Sequence, residues 1–167
     1  MRLPTEILDP YLCSTPVDIG AAAAALGIAV IPANLAPNET INLELDEDGT
    51  WRAYLNRRML ETQTRFAIAH VVAHFVLHRD LVEPLIAGKR IHREDLVFRS
   101  GLDDDIERQA NRYAASLLLP AALVRAVAWI GTRDTMALRL AETFGVNLPV
   151  ARLRMDDLAI RPVAVPA

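Results

Sequence analysis

Residues 65–78, RFAIAHVVAHFVLH, constrain this chain more than any other stretch. After the leading arginine, every position is apolar except three histidines, and neither glycine nor proline interrupts the run. Such a segment reads as an α-helix spanning roughly Met59 to His78. A helix that is apolar nearly all round belongs at the centre of a core rather than on a surface. His70 and His74 are four residues apart, so they project from one face, one turn apart. Burying imidazole rings there is costly unless something satisfies them. Two readings stay open at this point: packed histidines that hold nothing, or a pair that grips one divalent metal ion.

Where such a helix serves zinc-dependent hydrolysis, the pattern is H-E-x-x-H, and the glutamate takes the proton from the attacking water. Val71 stands in that position and can neither accept a proton nor orient a water. General acid–base work of this kind contributes roughly 10²–10⁴ in rate, about 3–5 kcal/mol of barrier. No catalytic residue is therefore assigned; Glu61, Glu94 and Asp103–Asp105 are the acids that could substitute from elsewhere. A third ligand is offered by DDDIERQANRYAASLLLP, residues 103–120. Glu107 and Asn111 fall on one helical face, and Ala110, Ala114 and Ala115 form a small-residue surface that lets another helix approach closely. A crossing there completes a His70–His74–Glu107 set with one coordination position open, as in catalytic zinc sites. His78 is either a group acting behind or beside that set, or a helix-end histidine facing the C-terminal dipole.

These paired segments resemble the ImmA/IrrE family of zinc metallopeptidases, whose members carry an RF-x-x-AHE-x-x-H-x-x-x-H helix followed by E-x-x-AN-x-x-A-x-x-LL-x-P. The matching residues are Arg65, Phe66, Ala69, His70, His74 and His78, then Glu107, Ala110, Asn111, Ala114, Leu117, Leu118 and Pro120. TPVDIGAAAAALGIAV and Leu55-Asn56 resemble the family's opening helix and strand and the strand end before the metal helix. The resemblance implies an α+β, zincin-like metallopeptidase domain: a small β-sheet packed on a metal-binding helix pair, with C-terminal helices. It also implies Zn²⁺ as the metal and another protein as substrate or partner, often a helix-turn-helix repressor. The one departure is Val71 for glutamate, so the expectation is a metal-binding fold with proteolysis weak or lost.

Size and composition bound the alternatives. A chain of 167 residues, 52% hydrophobic, is most simply one domain with a substantial core. A net charge of −3 gives no overall nucleic-acid footprint. The single cysteine, Cys13, forbids an internal disulfide and fits a reducing compartment. The start, MRLPTEILDPYLCSTP, has acids and prolines where a signal peptide needs an apolar run, and no stretch is long and apolar enough to span a bilayer. The expectation is a cytoplasmic protein without membrane contact.

Along the chain, residues 1–13 read as an extended arm and 14–130 as the zincin-like unit. Thr15 is a credible N-cap with Pro16 at the first helical position and Asp18 in the first turn, and Gly27 closes that helix. Strands follow at 28–32, 40–46 and 50–56, the last two forming a hairpin around Asp48-Gly49. Residues 79–101 read as a long connection containing Pro84 and Gly88. Pro120 opens a helix to about Ile130.

Residues 131–167 read as a helical pair broken at Gly145-Val146-Asn147. That pair has the outline of a helix-turn-helix, with Arg152 and Arg154 available to phosphates, but Asp156 and Asp157 on the same helix oppose DNA. Packing on the domain through Leu138, Leu140, Leu153 and Leu158 is the preferred reading. Two further functions compete with the metallopeptidase-type reading. One is a toxin–antitoxin or regulatory interaction module with a structural or absent metal; the other is a DNA-binding regulator acting through residues 134–158.

Overall fold

Strand β3 (Trp51–Asn56) organises the sheet, because its alternate residues Trp51, Ala53 and Leu55 are all buried while Arg52 and Tyr54 stay half-exposed. The computed structural model describes residues 3–87, 91–92, 104–127 and 131–161. β3 pairs in parallel with β1 (Ile28–Ala33), Ile28 lying opposite Trp51. It pairs antiparallel with β2 (Ile41–Leu45), Leu43 lying opposite Ala53. A two-residue β4 (Ile91–His92) joins the free edge of β2, giving the order β1-β3-β2-β4. The β2–β3 turn closes as expected at Asp48-Gly49, where Gly49 takes φ +81 and the Asp48 carboxylate accepts from the Thr50 amide at 3.0 Å.

Helices cover this sheet. α2 (Ile19–Ala25) packs on β1, and α3 (Glu61–Leu77) packs on α2 and β3. Residues 67–75 of α3 are all buried, as the unbroken apolar run requires. α5 (Asp104–Leu118) lies against α3. Ala69 and Ala73 on one helix, and Ala110 and Ala114 on the other, are fully buried, which lets the two backbones approach closely. The architecture is α+β, a small sheet with a buried helix pair and further helices after it.

Three local expectations are corrected. The first segment is not an extended arm: α1 (Pro4–Leu8) runs into a 3₁₀ turn at Asp9–Cys13, and Leu8 is buried in the core. Its helix is paid for by tertiary burial, which a short sequence window cannot show. The N-cap of α2 is Asp18 rather than Thr15; its carboxylate accepts from the Ala21 amide at 2.9 Å. The long connection after the metal helix contains α4 (Arg79–Ile86) despite Pro84. Val82 and Ile86, one turn apart, are fully buried, and the Trp51 indole donates to Glu83 at 3.0 Å, fastening α4 to the sheet. The isolated bridge at Ala87 and the short β4 also fall inside this connection, while its residues 88–90 and 93–101 lie outside the described residues.

Helix α6 (Ala121–Ala126) follows Pro120, and the rest of the expected span to Ile130 is outside the described residues beyond Val127. The C-terminal pair is α7 (Arg133–Phe144) and α8 (Leu148–Asp157), joined where Gly145 adopts φ +61 and Asn147 caps α8 by accepting from the Val150 amide. The pair packs on the domain: Leu140 is fully buried, Leu153 and Leu158 are half-buried against the core, and α8 touches α5. Leu138 departs from the expectation and is 50% exposed; Met136, Ala137 and Phe144 fill the inward face instead.

Arg65 fastens this pair to α3. Its guanidinium donates to the carbonyls of Gly145 (3.1 Å), Val17 (2.9 Å) and Phe144 (3.4 Å), bridging α3, the approach to α2 and the end of α7. Hydrogen bonds to a charged group are each worth about 1.5–3 kcal/mol, and their loss strands partly buried carbonyls. Replacing Arg65 by Met is therefore expected to lower unfolding stability by roughly 2–4 kcal/mol, read as a fall in the urea midpoint at unchanged slope. An unchanged midpoint would remove the clamp from this account.

Candidate metal centre

His70 and His74 face the same way from the middle of α3 and are 5% and 2% exposed. Their Nε2 atoms stand 3.0 Å apart. Glu107, in the first turn of α5, straddles the pair: one carboxylate oxygen is 3.3 Å from His70 Nε2 and the other is 3.2 Å from His74 Nε2. The spacing of the two helices thus brings together the three residues singled out from the sequence.

The donor set fits a metal ion. Two imidazole nitrogens and a carboxylate, bound at about 2.0–2.2 Å in tetrahedral directions, stand roughly 3.3 Å from one another. Here the two Nε2 atoms stand 3.0 Å apart, and they lie 3.3 and 3.2 Å from the two different oxygens of the Glu107 carboxylate. Burial alone would push the Glu107 carboxyl up, but hydrogen bonds from His70 and His74 and their charge outweigh it. They hold the group well below the usual carboxylate range, so Glu107 is an anion, the form a ligand needs.

Val71 is on the same helix and 2% exposed, packed in the core. Among the described residues no second carboxylate joins the group. Glu61 is exposed at the start of α3, nine residues from His70 and so about 13 Å along the axis. Asp104 and Asp105 are exposed at the start of α5, where Asp105 pairs with Arg108. Asp103 and Glu94 lie outside the described residues.

Three features went unread in the sequence. The first is the surroundings of His78. It is 6% exposed and closes α3, with its Nδ1 3.3 Å from His74 Nδ1 and its Nε2 3.4 Å from the Gln109 side-chain oxygen. Burial pushes its imidazole below the ordinary value, against the opposing effect of Gln109, so the ring is neutral near pH 7. It is not a group on the open side of the site.

The second is a pair of neighbouring cavities that share Phe66 and Asn147. One, about 220 Å³, is lined also by Thr40, Met59, Gln63 and Ala67. The other, about 280 Å³, is lined also by Asn111, Pro149, Val150 and Leu153. Phe66 lies one turn before His70, with the rings 6.2 Å apart, and Asn111 one turn after Glu107. Neither cavity is lined by the histidines themselves, so they flank the metal-type cluster rather than contain it.

The third is the fate of the C-terminal arginines. Arg152 pairs with Asp134 at 2.9 Å, Arg133 pairs with Asp156, and Arg154 donates to the Leu119 carbonyl at 2.9 Å. Asp156 and Asp134 thus tie α7 to α8. None of the described helices is long and apolar enough to cross a membrane.

Comparisons with known proteins bear on the fold and the family. A Mycobacterium tuberculosis transcriptional regulator shares the fold at a TM-score of 0.55 and 17% identity, over 92% of this chain and 46% of that one. The chain therefore spans about half the length of that solved structure. No curated protein matches the sequence. The profile of the Peptidase_M78 family, described as the IrrE N-terminal-like domain, matches residues 23–156, which include β1 to β3, the metal helix, Glu107 and nearly all of the C-terminal pair. This chain belongs to the Peptidase_M78 family of IrrE N-terminal-like domains.

Proposed function

We propose that this protein binds one Zn²⁺ through His70, His74 and Glu107 and acts in the cytoplasm on another protein, a helix-turn-helix transcriptional repressor. The observation that carries the metal assignment is the buried cluster in which the two imidazole Nε2 atoms stand 3.0 Å apart and each lies 3.2–3.3 Å from an oxygen of the Glu107 carboxylate. Bound zinc supplies a Lewis acid that polarises a carbonyl and lowers the pKa of an attacking water. His70 and His74 hold their nitrogens on one side of the cluster, and the Glu107 anion offsets the ion's charge where water is scarce. The groove along Phe66, Asn111 and Asn147 receives the partner segment, Phe66 offering an apolar wall and Asn111 a carboxamide suited to a peptide backbone.

Proteolysis in this reading is weak or lost. Val71 provides no base, and no described carboxylate other than Glu107 reaches the cluster. Binding of the partner without cleavage is then the main activity, which makes the chain a metal-stabilised regulatory module. A toxin–antitoxin pairing is the second form of that module.

Elemental analysis of the purified chain, paired with an interaction and cleavage assay against a panel of helix-turn-helix repressors, tests the reading. The expected result is one zinc per chain and a repressor that binds but is cleaved slowly or not at all. Absence of zinc at saturating metal would end the metal assignment, and rapid cleavage would end the assignment of a disabled site. DNA binding offers a separate check. Because Arg133, Arg152 and Arg154 are engaged within the chain, the C-terminal pair is expected to show no salt-sensitive affinity for duplex DNA; a steep salt slope would reinstate the DNA-binding regulator.

A further inference from the structure

His78 stands behind the metal-type cluster rather than in it. His74 turns Nε2 toward His70 and Glu107, and its other nitrogen, Nδ1, lies 3.3 Å from His78 Nδ1. His78 thus meets the side of the ring that a ligand does not use. On its own far side, His78 Nε2 lies 3.4 Å from the Gln109 oxygen, which can only accept.

The hydrogen-bond arithmetic allows one consistent arrangement with a cation at the cluster. Gln109 accepts, so His78 carries its proton on Nε2. That leaves His78 Nδ1 as an acceptor, which takes the Nδ1 proton of His74. His74 then presents the Nε2 lone pair toward Glu107 and His70. Each ring fixes the tautomer of the next, and all the rings are 6% exposed or less, so little water is available to do the same work.

We propose that His78, supported by Gln109, is a positioning residue for His74: it selects the tautomer and the ring angle that direct His74 Nε2 at the metal. The proposal rests on the metal reading above. It explains why a histidine, and not an apolar residue, closes a helix whose other buried polar positions serve the cluster. A histidine that merely packed or capped the helix would contribute to stability without altering metal affinity.

Zinc affinity measured by competition with a chelating dye tests this on the full chain. His78→Phe keeps the ring volume without the acceptor and is expected to weaken zinc binding about 10–100-fold. His78→Asn restores an acceptor oxygen near the former Nδ1 and is expected to recover most of that loss. Gln109→Met, which removes a longer hydrogen bond, is expected to cost only a few-fold. Urea unfolding of each metal-free variant separates a lost fold from a lost ligand geometry.

Nitrogen-15 NMR of the zinc-loaded wild-type chain needs no substitution. It should show His78 protonated on Nε2 and bare on Nδ1, with a coupling across the hydrogen bond from His74 Nδ1. Unchanged affinity in a folded His78→Phe variant, or a proton on His78 Nδ1, overturns the proposal alone. A wild-type chain that takes up no zinc overturns the metal reading and this proposal together.

Discussion

Val71→Glu is expected to raise peptidase activity toward a bound protein partner by roughly 10²–10⁴ over the wild-type chain, the usual contribution of a general base. The position directly follows His70, and a carboxylate there takes the proton of the attacking water and returns it to the leaving amine. The proposed ligands His70, His74 and Glu107 are untouched by the change, so the proposed occupancy of one zinc per chain should not alter. A cost accompanies the gain. Val71 is 2% exposed in the core, and placing a carboxyl there without a cation should destabilise the metal-free protein by about 1–3 kcal/mol. The zinc-loaded variant should recover much of that loss, because the cation gives the new group a partner. Cleavage is read by mass spectrometry of the repressor, and stability by urea melts with and without zinc. A Val71→Glu variant that binds zinc and partner yet cuts nothing would show that more than the base is missing, leaving the scaffold role alone.

Removing one of the three candidate ligands should have the next largest effect. Zinc sites with four protein ligands are worth about 10–16 kcal/mol, so one ligand corresponds to roughly 3 kcal/mol, or about 10²–10³ in affinity. Glu107→Gln and His74→Ala are each expected to weaken zinc binding on that scale. Both should also erase most of the rise in melting temperature that zinc gives the wild-type chain, since a ligand that binds only the folded state stabilises by mass action. Glu107→Gln is the cleaner test: it keeps side-chain shape and removes the charge that the two histidines hold in place. Wild-type affinity in that variant would remove Glu107 from the ligand set.

Much of the site could be read from residues because its chemistry is written at helical spacing. His70 and His74 share a face by period alone, and Ala110 and Ala114 announce a close crossing by their size. Glu107 then follows from the crossing. The same logic located the hairpin at Asp48-Gly49 and the break at Gly145, since each needs a backbone conformation that glycine supplies at little cost. These are local codes, in which the physical cause lies within a few residues of its effect.

What escaped such reading depends on partners far away in the chain. Residues 79–101, with Pro84 and Gly88, read as a long connection, yet burial of Val82 and Ile86 and the Trp51–Glu83 hydrogen bond stabilise a helix at Arg79–Ile86. α1 forms for the same reason, through Leu8. Arg65 read as a family signature, and only folding puts its guanidinium on three carbonyls from two other parts of the chain. Leu138 carries the same apolar signal as Leu140, but two residues apart on a helix they project to opposite sides, so burying Leu140 leaves Leu138 half-exposed.

The sequence by itself therefore determined the buried histidine helix, the three ligand candidates, and the hairpin and helix breaks, because periodicity, side-chain chemistry and glycine backbone freedom act locally. Only the tertiary structure decided that Glu107 meets both histidines at 3.2–3.3 Å, that His78 sits behind His74 rather than beside it, and that the C-terminal arginines are spent on internal partners. Those outcomes turn on how helices cross and dock, and that is set by long-range burial summed over the whole core.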